Sequence, residues 1–367
     1  MPQSMEMNDT ASLESIHTAL GARFTEVAGR VVPRNYGDAA AEYAAVRESA
    51  GVADRADRAL IRLYGRDPVR MIQGLVTNDV ARAPAGQGVY AALLTPKGKM
   101  IADLRVFRRA DGGVLLALDA GALEGTLAHL RKFVPPLFAR IEELDDALGV
   151  LGVYGPRARQ IIEQAFGDDL PEGMAEDAFV MLERAGAEAL VARTGDYGED
   201  GYDLTAPRAA LAPLWRALVD EGARPVGFAA LDVLRIETGR PRWGAELDES
   251  VLPIEAGLRE RAISQTKGCY TGQEVITRIL HRGHVNRHLR GLLLGDAPVP
   301  TRDTELYRAG DEKPVGRITS ACESPLYGQT IALGYVRREV EPPSALRLGG
   351  PAGPEVEVVE LPIPVRS

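Results

Sequence analysis

The sequence predicts an α+β protein of several domains that closes with a small, all-β C-terminal region. Three observations carry that prediction. Between Ala59 and Phe133, patterns for a strand, a helix, a hairpin, another strand and another helix follow one another, an order that suits an antiparallel sheet with helices against it. A comparable set runs from 148 to 220 and loosely echoes the first, without a residue-level repeat. From about Arg290, short apolar segments separated by Gly, Pro and Asp are all that remain, the spacing of a small barrel or sandwich. The 367 residues, at roughly 150 per domain, allow two or three domains. The expected divisions are a flexible segment over 1–23, α+β regions over 24–145 and 146–287, and a β-barrel over 288–367.

Each element has a local reason. Polar residues at the start suggest fraying. Leu13, Ile16, Leu20 and Phe24 lie near helical spacing and predict a short helix over 11–24. Ile61 and Leu63 alternate with Arg and Tyr as in a half-buried strand. Asp67-Pro68 reads as an N-cap followed by proline at the first helical position, opening a helix to about Leu75. Strands over 90–94 and 100–107 flank Pro96-Lys97-Gly98-Lys99, a good turn. A strand over 114–118 and a helix over 123–133 follow. The second set comprises strands over 148–153, 189–194 and 202–204, with helices over 156–165 and 206–220. A helix over 229–237 stops at Gly239-Arg240-Pro241, glycine then proline. In the tail, GLLLGD, PVGRITSA, IALGYVRRE and EVEVVELP are the expected strands of the barrel or sandwich.

Composition narrows the function classes. An apolar fraction of 45% and a charged fraction of 26% are ordinary globular values. Lys and Arg number 43 against 52 Asp and Glu, a net charge of −9, which argues against general DNA or RNA coating. No run approaches about 18 apolar residues, and MPQSMEMNDT lacks the character of a secretory signal. Two cysteines cannot build a disulfide framework. A soluble, cytoplasmic protein is expected. There is no GxxxxGK[ST] loop and no strand-linked GxGxxG, so neither ATP hydrolysis nor nicotinamide chemistry is indicated.

Five constellations offer chemistry, each beside a plainer reading. In KGCYTGQE, Cys269 stands two residues from Lys267 and next to Tyr270; cations favour the reactive thiolate, whereas a buried thiol merely packs. In RTGDYGEDGYDL, Glu199 sits between glycines, and a carboxylate with both oxygens free accepts two parallel N–H donors such as the 2-amino-4-oxo edge of a pterin. An acidic surface turn is the alternative. Asn78 and Asp79 of TNDV lie near the hairpin TPKGKMIADL, where Asp103 interrupts an apolar strand; burial there raises a carboxyl toward the range of a general base, unless Asp103 faces solvent. Arg235, on the last turn of a helix before Trp243 and Gly244, is a cationic fork for a carboxylate or ring, or plain helix-end electrostatics. RILHRGHVNRHLR gathers Arg278, Arg282, Arg287, Arg290 and three histidines, a basic patch for a polyanionic tail or a phosphate backbone, or a solvated face. As metal ligands, Cys269 and these histidines lack the paired cysteines of a zinc site, so no metal is expected. Cys322, with no cation nearer than Arg317, reads as structural.

At KGCYTGQE the chain resembles the YgfZ-type folate-binding proteins, relatives of the glycine-cleavage T-protein (aminomethyltransferase) family. The similarity runs from about Phe24 to the C-terminus through YGDAAAEYAAVRESAGVADRADRALIRLYGRD, GLVTNDV, GKMIADL, GEDGYDL, LRIETGRPRWGAEL, LPIEAGL and IALGYVRRE. The resemblance implies a three-domain, ring-like folate-binding fold with tetrahydrofolate, or a one-carbon derivative of it, in a central channel. It implies Glu199 on the pterin edge, Arg235, Asn78 and Asp79 lining the pocket, and Cys269 near the reactive end with Lys267 and Tyr270 beside it. It further implies support of iron–sulfur client enzymes and of tRNA-modifying enzymes. Aminomethyltransferases carry paired aspartates where this chain has Ala102-Asp103, which leans away from aminomethyl transfer. The leading expectation is therefore a folate-binding accessory protein for iron–sulfur enzymes. The alternatives are a folate-dependent aminomethyl or methyl transferase with Asp103 as base, and a non-enzymatic module contacting RNA or a polyglutamate tail through Arg278–Arg290.

Overall fold

The structure, a computed structural model, describes residues 12–365. The chain divides into two compact units. The first comprises the residues up to Ile61 with Glu143–Gly195 and Glu199–Leu231; the second comprises Arg62–Glu142, Asp196–Gly198 and the chain from Asp232 onward. Among the described residues no helix is long and apolar enough to cross a membrane.

In the first unit a six-stranded sheet runs in the order Phe179–Arg184, Ala187–Thr194, Gly201–Pro207, Leu148–Tyr154, Gly51–Asp54 and Arg224–Pro225. Its pairs are antiparallel except the last, which is parallel. Val52, Leu151, Val153, Val191 and Leu204 project from it into a core completed by Ile161, Ile162, Trp215 and Leu218 of the helices Ala158–Phe166 and Arg208–Asp220. The pattern is the expected one, an apolar sheet face covered by the apolar stripes of two helices.

The N-terminal expectation is corrected in two respects. Residues 1–11 lie outside the described residues, but the rest of the segment expected to be flexible is built into the first unit. Ser12 caps the helix Leu13–Ala19 by accepting from the Ser15 amide, and Ile16 is buried in the core. The helix also stops short of the predicted end at 24. Leu20 is its C-cap, and Phe24 lies on the strand Arg23–Val27, which pairs with Arg30–Asn35. Helical spacing failed there because Leu20 and Phe24 are exposed and so do not belong to one buried stripe. The helix Ala39–Glu48 and the strand Phe179–Arg184 carried no prediction. The first is largely alanine, with only Glu42 and Val46 buried, so no apolar stripe marks it.

The second unit holds the expected hairpin. Val89–Leu94 pairs antiparallel with Met100–Arg108 in a sheet ordered Val89–Leu94, Met100–Arg108, Val114–Asp119, Arg58–Tyr64 and Arg140–Glu143. Asp67 caps the helix Pro68–Gln73 through the Arg70 amide, with Pro68 at its start as predicted. The tail is a closed six-stranded barrel ordered Arg287–Gly295, Gln329–Arg337, Pro314–Ser324, Glu305–Tyr307, Ser344–Leu348 and Glu355–Val359. Gly291 pairing with Val359 closes it, and the mixed α/β architecture with a C-terminal barrel is the one the sequence predicts.

The KGCYTGQE segment acquires its shape here. Gly272 has φ +85°, and a Cβ on it would lie 2.7 Å from the Thr95 carbonyl oxygen. The helix Gln273–Arg282 begins immediately after. Gly268 has neither constraint, with open space where its Cβ would be. Gly272→Ala should therefore destabilise the protein by about 1–3 kcal/mol, through left-handed strain and the clash together. Gly268→Ala should be near neutral. Thermal melts of both variants check this, and equal effects would count against the geometry.

Candidate functional site

The site in the second unit follows from strand register. Tyr90 pairs with Arg105 and Ala92 with Asp103. Directly opposed residues and their alternate neighbours share a face, so Tyr90, Asp103 and Arg105 stand together on one side of the sheet. Ala92, small and buried, leaves room opposite Asp103. Alternation sends Ala102 to the other face, where it is fully buried. Asp103 is thus the carboxylate of this strand that belongs to the polar face.

Tyr90 donates its hydroxyl to Asp103 Oδ2 at 3.0 Å. Burial first, and the Asp103 carboxylate second, push the Tyr90 phenol well above its usual pKa, so it remains a donor throughout the neutral range. Asp103 Oδ1 is shielded from solvent and has no hydrogen-bond partner among the described residues. An unmet carboxylate oxygen in such a place costs roughly 1–3 kcal/mol or more and is uncommon in native folds. The guanidinium of Arg261 lies 4.0 Å from the centre of the Tyr90 ring, and that of Arg105 lies 5.8 Å away. Asp196 joins the two arginines, accepting from Arg105 at Oδ2 (2.8 Å) and from Arg261 at Oδ1 (2.9 Å). Tyr90 is therefore held by cation–π contacts while it holds Asp103.

The TNDV loop fastens this arrangement. Asn78 Nδ2 donates to the carbonyls of Tyr90 (2.9 Å) and Arg261 (3.2 Å), and Thr77 Oγ1 donates to the Ala262 carbonyl at 2.6 Å. Asp79 Oδ1 accepts from Gln73 Nε2 and from the Arg82 amide. Lys267 is buried, and its Nζ donates to the carbonyls of Gln73 (2.7 Å), Val76 (2.6 Å) and Asn78 (3.0 Å). All three ammonium protons are used in this way. Burial draws its pKa down to about 8, opposed by Asp79. Cys269 is exposed, and Tyr270 is buried with its phenol pushed up to about 12 by that burial. Cys322 is half-buried and its thiol is pushed up to about 12, by burial first and then by Glu237, which suits an inert structural residue.

Two other expected ligand groups have protein partners. Arg235 is buried, donating to Asp232 Oδ1 at 2.8 Å, to Glu246 Oε2 at 2.6 Å and to Ser320 Oγ at 2.6 Å. Spacing predicts a Glu199 carboxylate with both oxygens free; in the first unit its Oε1 accepts from Arg47 at 2.9 Å, leaving Oε2. The basic run also divides. Arg287 pairs with Glu255 and lies over the Tyr335 ring, and Arg290 pairs with Glu360. Arg278, His281, Arg282 and His284 remain exposed. Sequence reasoning missed Tyr90, Arg105, Asp196 and Arg261. Period-two alternation on the two predicted strands would have joined Tyr90 and Arg105 to Asp103; no local signal marks Asp196 or Arg261.

The GCVT N-terminal domain matches residues 13–267, and the glycine cleavage T-protein C-terminal barrel domain matches residues 287–360. A protein of Rubrobacter xylanophilus named aminomethyltransferase is 34% identical, over 95% of this chain and 90% of its own length. Another with that name, from Ralstonia pickettii, is 33% identical over 94% and 92%. The crystal structure of the glycine cleavage system aminomethyltransferase T from Bartonella henselae is similar with a TM-score of 0.86 at 25% identity, covering 95% of this chain and 96% of that one.

Lys267→Met should lower stability by about 3 kcal/mol, since three buried carbonyls lose their donor. The unfolded lysine titrates near ~10.4 and the folded one at about 8. Between those values the unfolded chain binds more protons, so the stability contributed at this position rises as pH climbs through the window. Melting curves of the parent and the variant across it should separate further with increasing pH; a constant gap would contradict the assignment.

Proposed function

The chain belongs to the glycine-cleavage T-protein family, and from that premise we propose that it is a folate-dependent aminomethyltransferase, passing a one-carbon unit from an aminomethyl donor to tetrahydrofolate. The observation that carries the reading is the bare Oδ1 of Asp103, held beside a phenol that donates to its other oxygen. Tetrahydrofolate, when bound, supplies the N–H nitrogen that receives the carbon. The carbon's bond to the donor breaks as its bond to that nitrogen forms, and the donor leaves with the bonding pair. The amino group stays on the transferred carbon in this step, and the nitrogen gives up its proton. Asp103 Oδ1 is the acceptor that has no competing donor among the described residues. Tyr90 fixes the carboxylate's orientation through Oδ2, and Asp196 keeps Arg105 and Arg261 against the Tyr90 ring. These four are positioning groups. Ala102 in place of a second carboxylate does not weaken the polar face, because its side chain belongs to the opposite one. Glu199 Oε2 is the group proposed for one N–H of the pterin edge, with Arg47 holding Oε1.

This reading replaces the iron–sulfur accessory role as the leading one, because the relatives that span the chain are named aminomethyltransferase. The accessory reading is kept second by one observation: Cys269 lies exposed in KGCYTGQE beside Gly268, whose lack of a side chain serves no packing need.

Titration with tetrahydrofolate should saturate for the parent and weaken at least about tenfold in Glu199→Ala, the loss of one charge-assisted contact. Turnover with an aminomethyl donor should fall about 100-fold or more in Asp103→Asn, the scale of a lost general base, and by a smaller factor in Tyr90→Phe and Asp196→Asn. Parent-like turnover in Asp103→Asn would remove Asp103 from the chemistry. The two readings part at Cys269→Ser: only the accessory role expects this variant to lose support of iron–sulfur enzymes in cells lacking the native protein.

A further inference from the structure

The first unit carries a cleft of about 780 Å3, within the ordinary range of small-molecule sites, and no residue of the proposed transfer site lines it. Its walls come from the helix Leu13–Ala19, the hairpin Arg23–Val27 and Arg30–Asn35, the end of the strand Gly51–Asp54 and the start of the helix Arg208–Asp220. Among the charged side chains that line the cleft, which include Glu14 and Arg58, Asp54 and Arg208 are of opposite charge and do not pair with one another. Asp54 Oδ2 meets His17 Nε2 at 3.2 Å, and His17 Nδ1 in turn meets the Tyr36 hydroxyl at 2.9 Å. This buried relay fixes the carboxylate, while Oδ1 has no partner among the described residues. Arg208 gives its Nε to the Asp145 carbonyl, and its terminal nitrogens have no partner among the described residues. Arg55, which also lines the cleft, is already paired with Asp57. Phe24 and Val31, 39% and 68% exposed, add an apolar wall.

A simple anion would meet the Asp54 carboxylate, and a simple cation would meet the Arg208 guanidinium. A neutral apolar molecule would strip water from both without replacing it, which is costly. A ligand with both charges and an apolar side chain answers Asp54, Arg208 and the apolar wall together. We propose that this cleft binds a small apolar zwitterion, an α-amino acid or a dipeptide. Its carboxylate lies on the terminal nitrogens of Arg208, its ammonium on Asp54 Oδ1, and its side chain against Phe24 and Val31.

Calorimetric titration of the full chain with L-leucine and with L-leucyl-L-leucine tests this, and the two probes distinguish the ligand sizes. At least one should bind saturably. N-acetyl-leucine and leucinamide, each lacking one charge, should bind at least about tenfold more weakly, a difference of about 1.4 kcal/mol. Arg208→Gln should weaken the zwitterions by a similar factor and leave leucinamide unaffected. Asp54→Asn should weaken ligands that carry the ammonium. That variant also deprives His17 of its partner, so the capped ligands on the parent protein decide the matter if it fails to fold. No saturable binding of either zwitterion up to about 10 mM, or equal binding of the capped forms, overturns the proposal.

Discussion

The candidate site depends on one pairing register. With Tyr90 opposite Arg105 and Ala92 opposite Asp103, a phenol, a carboxylate and a guanidinium share a sheet face, and a small residue leaves space among them. A shift of one residue would send Asp103 to the opposite face, where Ala102 now packs. The register is held from outside the hairpin as well as within it. Thr77 and Asn78 tie the loop before it to the strand Val89–Leu94 and to Arg261 and Ala262 of the short helix Arg259–Ala262. Lys267 gathers the carbonyls of that same loop from the far side of the sequence. Backbone groups that would otherwise lie buried and unmet are thereby satisfied.

Charge is handled differently in the two polar clusters of this unit. Around Arg235 every nitrogen has a carboxylate or hydroxyl partner, so the cluster is closed and its role is to hold the helix Phe228–Glu237 to the loop at Glu246 and the barrel strand at Ser320. Around Asp103 the network leaves one carboxylate oxygen unmet. Asp196 satisfies two arginines, these flank Tyr90, and Tyr90 satisfies Oδ2, but Oδ1 is left bare. Buried ion pairs contribute little net stability once desolvation is counted, and their strength lies in fixing geometry. Here they fix a carboxylate with an open oxygen, the feature a proton-accepting site requires.

Legibility of these features tracked the range of the interactions. Asp103 stood out as an acid in an apolar strand, and the hairpin around Pro96-Lys97-Gly98-Lys99 was read directly, because both are local. KGCYTGQE drew attention to Cys269 and to Lys267 as its activating cation. The fold instead gives all three ammonium donors of Lys267 to carbonyls, most of two hundred residues earlier in the chain. Arg235 looked like a ligand fork because its partners Glu246 and Ser320 are not sequence neighbours on the same helix. A charged side chain announces that it needs a partner, but its sequence does not say which.

Alternation, turn chemistry and capping residues determined on their own that this is an α+β protein ending in a small all-β region, a barrel or a sandwich. They also placed Asp103 on a strand and Asp67-Pro68 at a helix start, since such preferences are settled within a few residues of chain. Tertiary structure alone decided that Asp103 has one satisfied and one bare oxygen, that Asp196 binds two distant arginines, and that Asp54 and Arg208 face one cleft. Each of these joins groups far apart in the chain. Their pairing is selected by the burial and register of whole sheets, which no local pattern encodes.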